Sequence, residues 1–340
     1  MFNHIEQQLL NDWQRNLPLE PRPYACIAAK VGITETRVID VLSALREQCA
    51  ISRVGAVVRP GTIGASTLAA MAVPTEQLEE VAGRVSSYLE VNHNYEREHH
   101  FNLWFVVTAS DADTLGSVLS AIELDCKLPV MKLPLVEAYH IDLGFDLGFP
   151  SGGDVAGATH TAPCRQQKGA PKIDTSDRRI LWQLESGLPL TPQPYAEIGE
   201  AIGLDEAEVI HRLGRLIEAD VIRRFGVIVR HHEVGFGANA MVVWDVPDTH
   251  VDEVVKCLTS NTSVTLCYQR PRQLPDWPYN LFSMIHGTCE ESVRSIISEL
   301  RSEKVLADID YDILFSRRRF KQTGARYQPD TTPADNREVA

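Results

Sequence analysis

Residue types that bind carboxylates and transfer protons are concentrated in one stretch, HNYEREHHFNLWF at residues 93–105. Three of the chain's eleven histidines lie within eight residues there: His93, His99 and His100. Side chains alternate between the two faces of a strand, so His93, Tyr95 and Arg97 should share one face. Arginine binds carboxylates through a bidentate fork, and histidine exchanges a proton near neutral pH. The residue types and their spacing therefore predict a site that binds carboxylates.

A second stretch, YQRPRQLPDWPYNLFSMIH at residues 268–286, repeats part of this pattern. It carries the same tyrosine-x-arginine pair, followed by aromatic residues whose flat rings offer stacking surfaces. Both stretches together suit one large, flat ligand with several carboxylates. Beyond the three histidines and Arg97, the predicted ligand-binding residues are Tyr95, Asn102, Trp104, Tyr268, Arg270, Trp277, Tyr279, Asn280 and His286.

Simpler interpretations of these residues stay open at this point. A tyrosine-x-arginine pair on a strand is often a solvated ion pair beside a packing tyrosine, and the pair His99–His100 also fits an exposed loop. Adjacent histidines suggest metal binding, but no neighbouring cysteine or carboxylate completes a ligand set at the usual spacing. The seven cysteines are scattered and contain no C-x-x-C pair. We therefore expect neither a protein metal site nor a disulfide framework.

Length and composition limit the class of protein. The 340 residues, 44% of them hydrophobic, allow two or three domains with a sizeable core. No run of about 18 apolar residues occurs, and the amphipathic N-terminus does not resemble a signal peptide, so we expect a cytoplasmic protein without a membrane segment. The formal net charge of -13 opposes non-specific attraction to nucleic-acid phosphates.

The chain contains an internal duplication. The segment NLPLEPRPYACIAAKVG at residues 16–32 aligns with GLPLTPQPYAEIGEAIG at residues 187–203, a constant offset of 171. The same offset pairs two arginines of each half, Arg53 with Arg224 and Arg59 with Arg230. Between the halves, residues 150–175 are rich in Gly, Ala, Pro, Ser and Thr and predict a flexible linker. Residues 329–340 predict a disordered tail.

Each half has the same predicted order of elements. Three helices with a short glycine-containing turn predict a helix-turn-helix, and the apolar strand after it predicts a small wing. In the second half, Ser176 is a plausible N-cap of the first helix. A βαββαβ order follows, typical of a ferredoxin-like antiparallel sheet, and its last strand in the first half is predicted over Leu135 to Ile141.

The predicted fold class is therefore α+β, a tandem duplication in which each half is a winged helix-turn-helix followed by a ferredoxin-like βαββαβ domain. The helix-turn-helix domains are predicted over residues 1–62 and 176–233, and the ferredoxin-like domains over residues 63–149 and 234–328.

A helix-turn-helix followed by this sheet domain resembles the Lrp/AsnC family of transcription regulators. Such a regulator should carry clustered basic side chains on its third helix. The third helices instead mix both signs of charge: Arg37, Asp40, Arg46 and Glu47 in the first half, and Glu206, Glu208, His211, Arg212, Arg215 and Glu218 in the second. We expect that DNA binding is lost, and a regulator responding to heme or an amino acid is the alternative function.

Several strings resemble the siroheme decarboxylases, which are relatives of the Lrp/AsnC regulators: NHNYEREHHFNLWF, AYHIDLGFDLGF, RFGVIVRHHEVGFGANAM, CYQRPRQLPDWPYNLFSMIHG and SRRRFKQTGARY. The fused layout is similar to the NirDL type of heme d1 biosynthesis in denitrifiers. The resemblance implies removal of carbon dioxide from the two acetate side chains of siroheme, giving didecarboxysiroheme. It implies no organic cofactor, because the iron belongs to the substrate. It also implies that the two halves pair within the chain, with further homo-oligomerisation open.

The resemblance lets roles be assigned as a hypothesis. Arg97 and Arg270 would clamp acetate or propionate carboxylates, and one of the three clustered histidines would donate the proton. His286 would act in a second pocket or ligate the substrate iron. Four aromatic side chains would stack on the ring or border it: Tyr95, Tyr268, Trp277 and Tyr279. The loops of the halves differ, which fits either one composite pocket or one working and one supporting pocket.

Overall fold

The computed structural model describes residues 2–141, 173–230 and 238–327. Its helices are α1 (His4–Asp12), α2 (Pro23–Val31), α3 (Glu35–Glu47), α4 (Leu78–Ser87), α5 (Ala112–Cys126), α6 (Thr175–Gln183), α7 (Pro194–Ile202), α8 (Glu206–Glu218), α9 (Val251–Ser260) and α10 (Glu290–Ser302). Its strands are β1 (Ile51–Val58), β2 (Ala65–Met71), β3 (Val91–Arg97), β4 (Leu103–Ala109), β5 (Met131–Pro134), β6 (Glu137–Ile141), β7 (Ile222–Val229), β8 (Ala238–Asp245), β9 (Val264–Gln269), β10 (Leu281–Gly287) and β11 (Asp310–Gln322).

Local sequence determines where the first helices begin and end. Helix α2 starts at Pro23, where a missing N–H is harmless, and ends at Gly32, whose φ of 77° suits glycine. The predicted N-cap of α6, Ser176, is wrong, because the helix already begins at Thr175 and its N-cap is Asp174. Asp174 caps α6 by accepting the backbone N–H of Asp177, and the Asp177 side chain accepts the backbone N–H of Asp174 in return.

The two helix-turn-helix units share one apolar core and one small sheet. Strand β1 of the first half pairs antiparallel with β7 of the second, so the two predicted wings are a single two-stranded sheet, called the wing below. Reciprocal hydrogen bonds join the units. The Tyr24 hydroxyl donates to the Pro189 carbonyl at 2.9 Å, and the Tyr195 hydroxyl donates to the Pro18 carbonyl at 2.7 Å.

The remaining strands form one nine-stranded sheet in the order β5-β2-β4-β3-β11-β8-β10-β9-β6. Helices α4 and α5 cover one face of the first half, and α9 and α10 cover one face of the second. The other faces of the two halves pack together in what we call the inter-sheet core: Leu68, Ala70, Trp104, Leu133, Met241, Val243, Trp277, Phe282 and Leu314. The duplicated fold class predicted from sequence is confirmed.

The last strand of each half crosses into the sheet of the other. The first half ends in two strands where the sequence predicted one over Leu135 to Ile141: the predicted strand is present as β6, and β5 before it was not predicted. Strand β5 completes its own sheet beside β2, and β6 pairs with β9 of the second half. Pro134 has no N–H to continue the first ladder, so the chain leaves it there. Strand β11 makes the corresponding crossing from the second half: it pairs first with β8 of its own half and then with β3 of the first half.

Several sequence predictions concern residues beyond this description. The predicted linker, residues 150–175, overlaps the described residues only at its end, and the predicted tail, residues 329–340, lies outside them. The domain boundaries stay predictions. Among the ten described helices, none has the length and apolar character needed to cross a bilayer.

Candidate functional site

The two arginines of the tyrosine-x-arginine pairs lie where the last strands cross between sheets. Arg97 is only 8% exposed, and its Nη1 donates to the carbonyl of Leu314 at 2.9 Å. In the same way, Arg270 Nη1 donates to the carbonyl of Leu133. A buried backbone carbonyl needs a hydrogen-bond donor. Each arginine therefore supplies a donor to the opposite half, and burial lowers the pKa of both guanidinium groups.

Two asparagines predicted to bind the ligand form side-chain hydrogen bonds with backbone groups. The Asn102 side chain accepts the N–H of Val73 at 2.9 Å and donates to the carbonyl of the same residue at 2.8 Å. Asn280 makes the same pair of bonds to Val246, each at 2.9 Å. Because both amides are used in this way, we assign Asn102 and Asn280 a structural role in holding the ends of neighbouring strands.

The three clustered histidines do not converge on one point. His93 and Arg97 are separated by four residues of extended strand, about 13 Å, and His99 and His100 lie beyond Arg97. The His99 ring meets Trp277 edge-on at 5.4 Å, and its Nε2 lies 3.5 Å from the Asp312 carboxylate. Burial lowers the pKa of His99, although Asp312 acts in the opposite direction. His100 is exposed and contacts the ring of Phe101.

The remaining predicted residues line the space between the two halves. Trp104 and Trp277 are buried against each other in the inter-sheet core, with ring centroids 5.2 Å apart. Tyr279 packs edge-on against Trp277 at 5.0 Å, and Tyr268 stacks on Phe282 at 5.8 Å. His286 lies in the second sheet, where its Nδ1 is 3.1 Å from the hydroxyl of Thr265.

A cavity of about 590 Å³ lies where the wing, the first sheet and helix α6 meet, and we call it the wing cavity. Residues of both halves line it, including Arg53, Glu90, Thr108, Trp182, Glu185, Arg230 and Arg326. Arg53 is on β1, Arg230 directly follows β7, and Arg326 follows β11. Three guanidinium groups thus meet two carboxylates in a protein whose overall charge is -13. The charged side chains that line the wing cavity therefore carry one more positive than negative charge.

Hydrogen-bond donors at the wing cavity are left without acceptors. The Nε atoms of Arg53 and Arg230 and the indole Nε1 of Trp182 are buried, and none has a hydrogen-bond partner in the described parts of the chain. Burying such a donor without an acceptor costs about 1–3 kcal/mol, and more for a charged group.

His93 adjoins this cavity. In the sheet it pairs with Gln322, whose side chain lines the cavity, and its half-buried ring stacks on Tyr95 with centroids 6.2 Å apart. Burial lowers the pKa of His93 to about 4, and the nearby Arg53 cation acts in the same direction. The ring is therefore neutral at pH 7 in the free protein. Burial raises the pKa of Tyr95, opposed by Arg97, Arg319 and Arg230.

The second recognition helix has its arginines engaged within the chain. Arg212 of α8 donates to Asp174 at 2.7 Å and to Asp177 at 2.9 Å, and Arg215 pairs with the fully buried Asp177. The charges of these two arginines are thus offset by carboxylates of the same chain, which weakens their attraction for DNA phosphates. Across the three described ranges, no three His, Cys, Asp or Glu side chains gather as a metal site. The predicted absence of a protein metal site stays a prediction, and His231 and His232 lie outside the described residues.

Sequence reasoning missed most residues of the wing cavity. A signal existed for two of them, because the duplication pairs Arg53 with Arg224 and Arg230 with Arg59 in the two wing strands. Trp182 had no such signal, since the residue at the same offset in the first half is Asn11. None of the predicted site residues lines this cavity, although His93 pairs in the sheet with Gln322, which does.

Comparison with known proteins agrees with this architecture. The AsnC-like ligand binding domain family matches residues 62–140 and 233–321, and the siroheme decarboxylase NirDL-like HTH domain family matches residues 6–51 and 177–223. The chain is 42% identical to the siroheme decarboxylase NirDL subunit of Paracoccus denitrificans, covering 95% of this chain and 97% of that one. Its similarity to the NirD subunit of Pseudomonas aeruginosa is 49% identity over 43% of this chain and 97% of the subunit.

Solved structures give the same result. The crystal structure of a siroheme decarboxylase NirDL superimposes with a TM-score of 0.68 and 27% identity, covering 96% of this chain and 94% of that one. A second structure, of a siroheme decarboxylase NirDL in complex with an iron-uroporphyrin III analogue, gives a TM-score of 0.67 at 26% identity, covering 95% and 93%. On the family matches and the near full-length identity, the chain belongs to the NirDL-type siroheme decarboxylase family.

Proposed function

We propose that this chain removes carbon dioxide from the two acetate side chains of siroheme and that the reaction takes place in the wing cavity. The observation that carries the location is the set of three arginines, Arg53, Arg230 and Arg326, that line the cavity. A tetrapyrrole with carboxylates around its rim presents acceptors in several directions. The relative solved with an iron-uroporphyrin III analogue supports this class of ligand.

The arginines would hold the substrate by its carboxylates. Guanidinium groups bind carboxylates with short charge-assisted hydrogen bonds, and several of them fix both the position and the tilt of the ring. Fixing the ring places one acetate with its scissile bond perpendicular to the macrocycle, so that the electron pair left behind can enter the ring. Iron arrives with the substrate, and no organic cofactor is needed for this step.

His93 would supply the proton that completes the reaction. When the bond between methylene and carboxylate breaks, carbon dioxide leaves and the methylene carbon keeps the electron pair, so one proton per acetate must be added to give a methyl group. His93 is neutral beside Arg53 in the free protein, but a bound carboxylate would favour its charged form. We assign the proton to His93 rather than His99 or His100, because only His93 adjoins the wing cavity.

The reaction is tested by anaerobic incubation of the purified protein with siroheme, followed by mass spectrometry. We expect two successive losses of carbon dioxide. Arg230→Gln should weaken substrate binding roughly tenfold or more, because a hydrogen bond to a charged group contributes about 1.5–3 kcal/mol.

The matched control is Arg84→Gln on α4. Arg84 pairs with Glu80 on the surface and does not line the wing cavity, so this variant should behave as wild type. Siroheme that stays intact with the wild-type protein would refute the proposed reaction. Wild-type kinetics in Arg230→Gln would refute the wing cavity as its location.

A further inference from the structure

A short segment after the last strand borders the wing cavity. Strand β11 ends at Gln322, and residues 323–327, called the strap below, run from the first sheet to the shared core of the two helix-turn-helix units. Three residues of the strap line the cavity: Thr323, Gly324 and Arg326. The strap therefore forms one side of the cavity and joins the parts of the fold that surround it.

Hydrogen bonds hold the strap at both ends. The Thr323 backbone N–H donates to the Asn92 carbonyl of β3 at 2.8 Å. The Tyr327 backbone N–H donates to the Glu185 carboxylate at 2.6 Å, and the Tyr327 side chain is buried in the shared core. Glu185 directly follows the end of α6, so its carboxylate ties the strap to the second helix-turn-helix unit. The backbone between these two attachments is thus fixed before a ligand arrives.

The strap also lies close against the residues beneath it at Gly324. A Cβ atom on this residue would be 2.8 Å from the Glu185 carbonyl oxygen and 3.3 Å from Arg53 Nη1. The backbone oxygen cannot move aside easily, so only glycine allows this approach. The strap is therefore packed against the end of α6 rather than standing away from it.

Arg326 is the cation of the strap that a ligand can reach. Its side chain is exposed, and in the described part of the chain its guanidinium makes no hydrogen bond or ion pair. Arg53, in contrast, is half-buried and already donates to the Ala56 carbonyl at 3.0 Å. A carboxylate at the cavity can therefore bind Arg326 without breaking an existing contact, and a fixed backbone lowers the entropy lost on binding.

We propose that Arg326 binds a peripheral carboxylate of the tetrapyrrole and that Glu185 positions Arg326 by holding the strap. The inference rests on the proposed function for its ligand class. Glu185 lines the same cavity, so its own negative charge opposes the binding of a carboxylate. Its hydrogen bond to the Tyr327 N–H acts in the opposite direction, because it holds Arg326 in place. Charge and hydrogen bond of Glu185 thus have opposite effects on affinity.

The first test separates these two effects. Metal-free uroporphyrin III, an octacarboxylate, serves as the probe, and its binding is followed by absorbance titration. Glu185→Gln removes the charge and keeps an acceptor for the Tyr327 N–H, so its dissociation constant should equal that of wild type or be lower. Glu185→Leu removes the acceptor as well, and we expect its dissociation constant to rise about tenfold. Equal affinities of the two variants would overturn the inference.

Glu123→Leu is the matched control for a lost backbone contact. Glu123 accepts the backbone N–H of Val130 at 2.9 Å, as Glu185 accepts that of Tyr327, but it does not line the wing cavity. We expect Glu123→Leu to lower the melting temperature and to keep wild-type affinity for uroporphyrin. An equal loss of affinity in Glu123→Leu and Glu185→Leu would show a general effect of lost stability and would overturn the role of Glu185.

The second test is a double-mutant cycle between Glu185 and Arg326. Arg326→Gln should raise the dissociation constant about tenfold, because a charge-assisted hydrogen bond is lost. If Glu185 acts through Arg326, adding Glu185→Leu to Arg326→Gln should change the dissociation constant by less than about twofold. Losses that simply add would show that the two residues act independently, which contradicts the proposed positioning.

Failure of this inference is distinguishable from failure of the proposed function. Siroheme conversion by the wild-type protein, together with equal affinities of Glu185→Gln and Glu185→Leu, would remove the role of Glu185 and leave the reaction in place. A wild-type protein that binds no uroporphyrin and leaves siroheme unchanged would overturn both.

Discussion

Replacing Arg97 by methionine separates a structural role from a substrate-binding role. The sequence predicted that Arg97 clamps a substrate carboxylate, whereas its guanidinium donates to the Leu314 carbonyl at 2.9 Å where β11 crosses between sheets. Its Cζ also lies 5.9 Å from the centroid of the Tyr95 ring. Methionine keeps much of the apolar volume and removes both interactions. We therefore expect Arg97→Met to reduce stability and to leave substrate affinity nearly unchanged.

The magnitude follows from the contacts. A hydrogen bond to a charged donor contributes about 1.5–3 kcal/mol, and the Leu314 carbonyl would lose its donor. The Arg97 guanidinium is only 8% exposed, so its burial costs free energy. Methionine does not carry this cost, so part of the lost stability is recovered. We expect a net loss of about 1–3 kcal/mol in the free energy of unfolding. Arg270→Met should behave alike, since Arg270 donates to the Leu133 carbonyl at the equivalent crossing.

Urea unfolding followed by circular dichroism measures this loss as a shift in midpoint at constant slope. The control, Arg84→Met, removes a surface pair with Glu80 and a hydrogen bond to the Asp125 carbonyl, and should cost about 1 kcal/mol. Affinity for uroporphyrin is measured on the same samples. An Arg97→Met protein with wild-type stability and at least tenfold weaker binding would refute the structural role and restore the carboxylate clamp.

Three further predictions concern pH, the pairing of the halves and DNA. Because burial and Arg53 lower the pKa of His93 from 6.5 to about 4, the unfolded chain binds more protons in that window. The free energy of unfolding should therefore fall by up to about 3 kcal/mol as pH drops from 6.5 to 4. His93→Gln should flatten this part of the plot of urea midpoint against pH. The same plot for wild type and His93→Gln would contradict the burial of His93. The two halves, produced as separate chains divided between residues 150 and 172, should copurify, because β6 of the first half pairs with β9 of the second and β11 of the second pairs with β3 of the first. A half that is stable on its own would contradict this. Duplex DNA should bind weakly and without sequence preference in mobility-shift assays, because Asp174, Asp177 and Glu208 pair with Arg212 and Arg215; a salt-resistant complex with one sequence would contradict this.

Local and repeated patterns were readable from the sequence. The offset of 171 established the duplication, and the period of apolar residues identified the helix-turn-helix and the sheet order in each half. Alternation along β3 correctly placed His93 and Arg97 on the face opposite to Asn94, whose amide donates to the α4 carbonyl of Ala82. Such features depend on neighbours close in the chain or on a second copy, so one sequence contains them.

What lies opposite a given side chain was decided only by tertiary structure. The acceptor of Arg97 is a carbonyl 217 residues away, on a strand that changes sheets, and no spacing in the sequence indicates that crossing. The wing cavity likewise combines Arg53, Trp182 and Arg230, which come together because one strand from each half forms the wing. The sequence by itself determined the duplicated fold, the chemistry of the residue types and the shared face of His93, Tyr95 and Arg97. The tertiary structure decided that His93 pairs with a residue lining a cavity while Arg97 binds the backbone, because burial and pairing depend on contacts between distant segments.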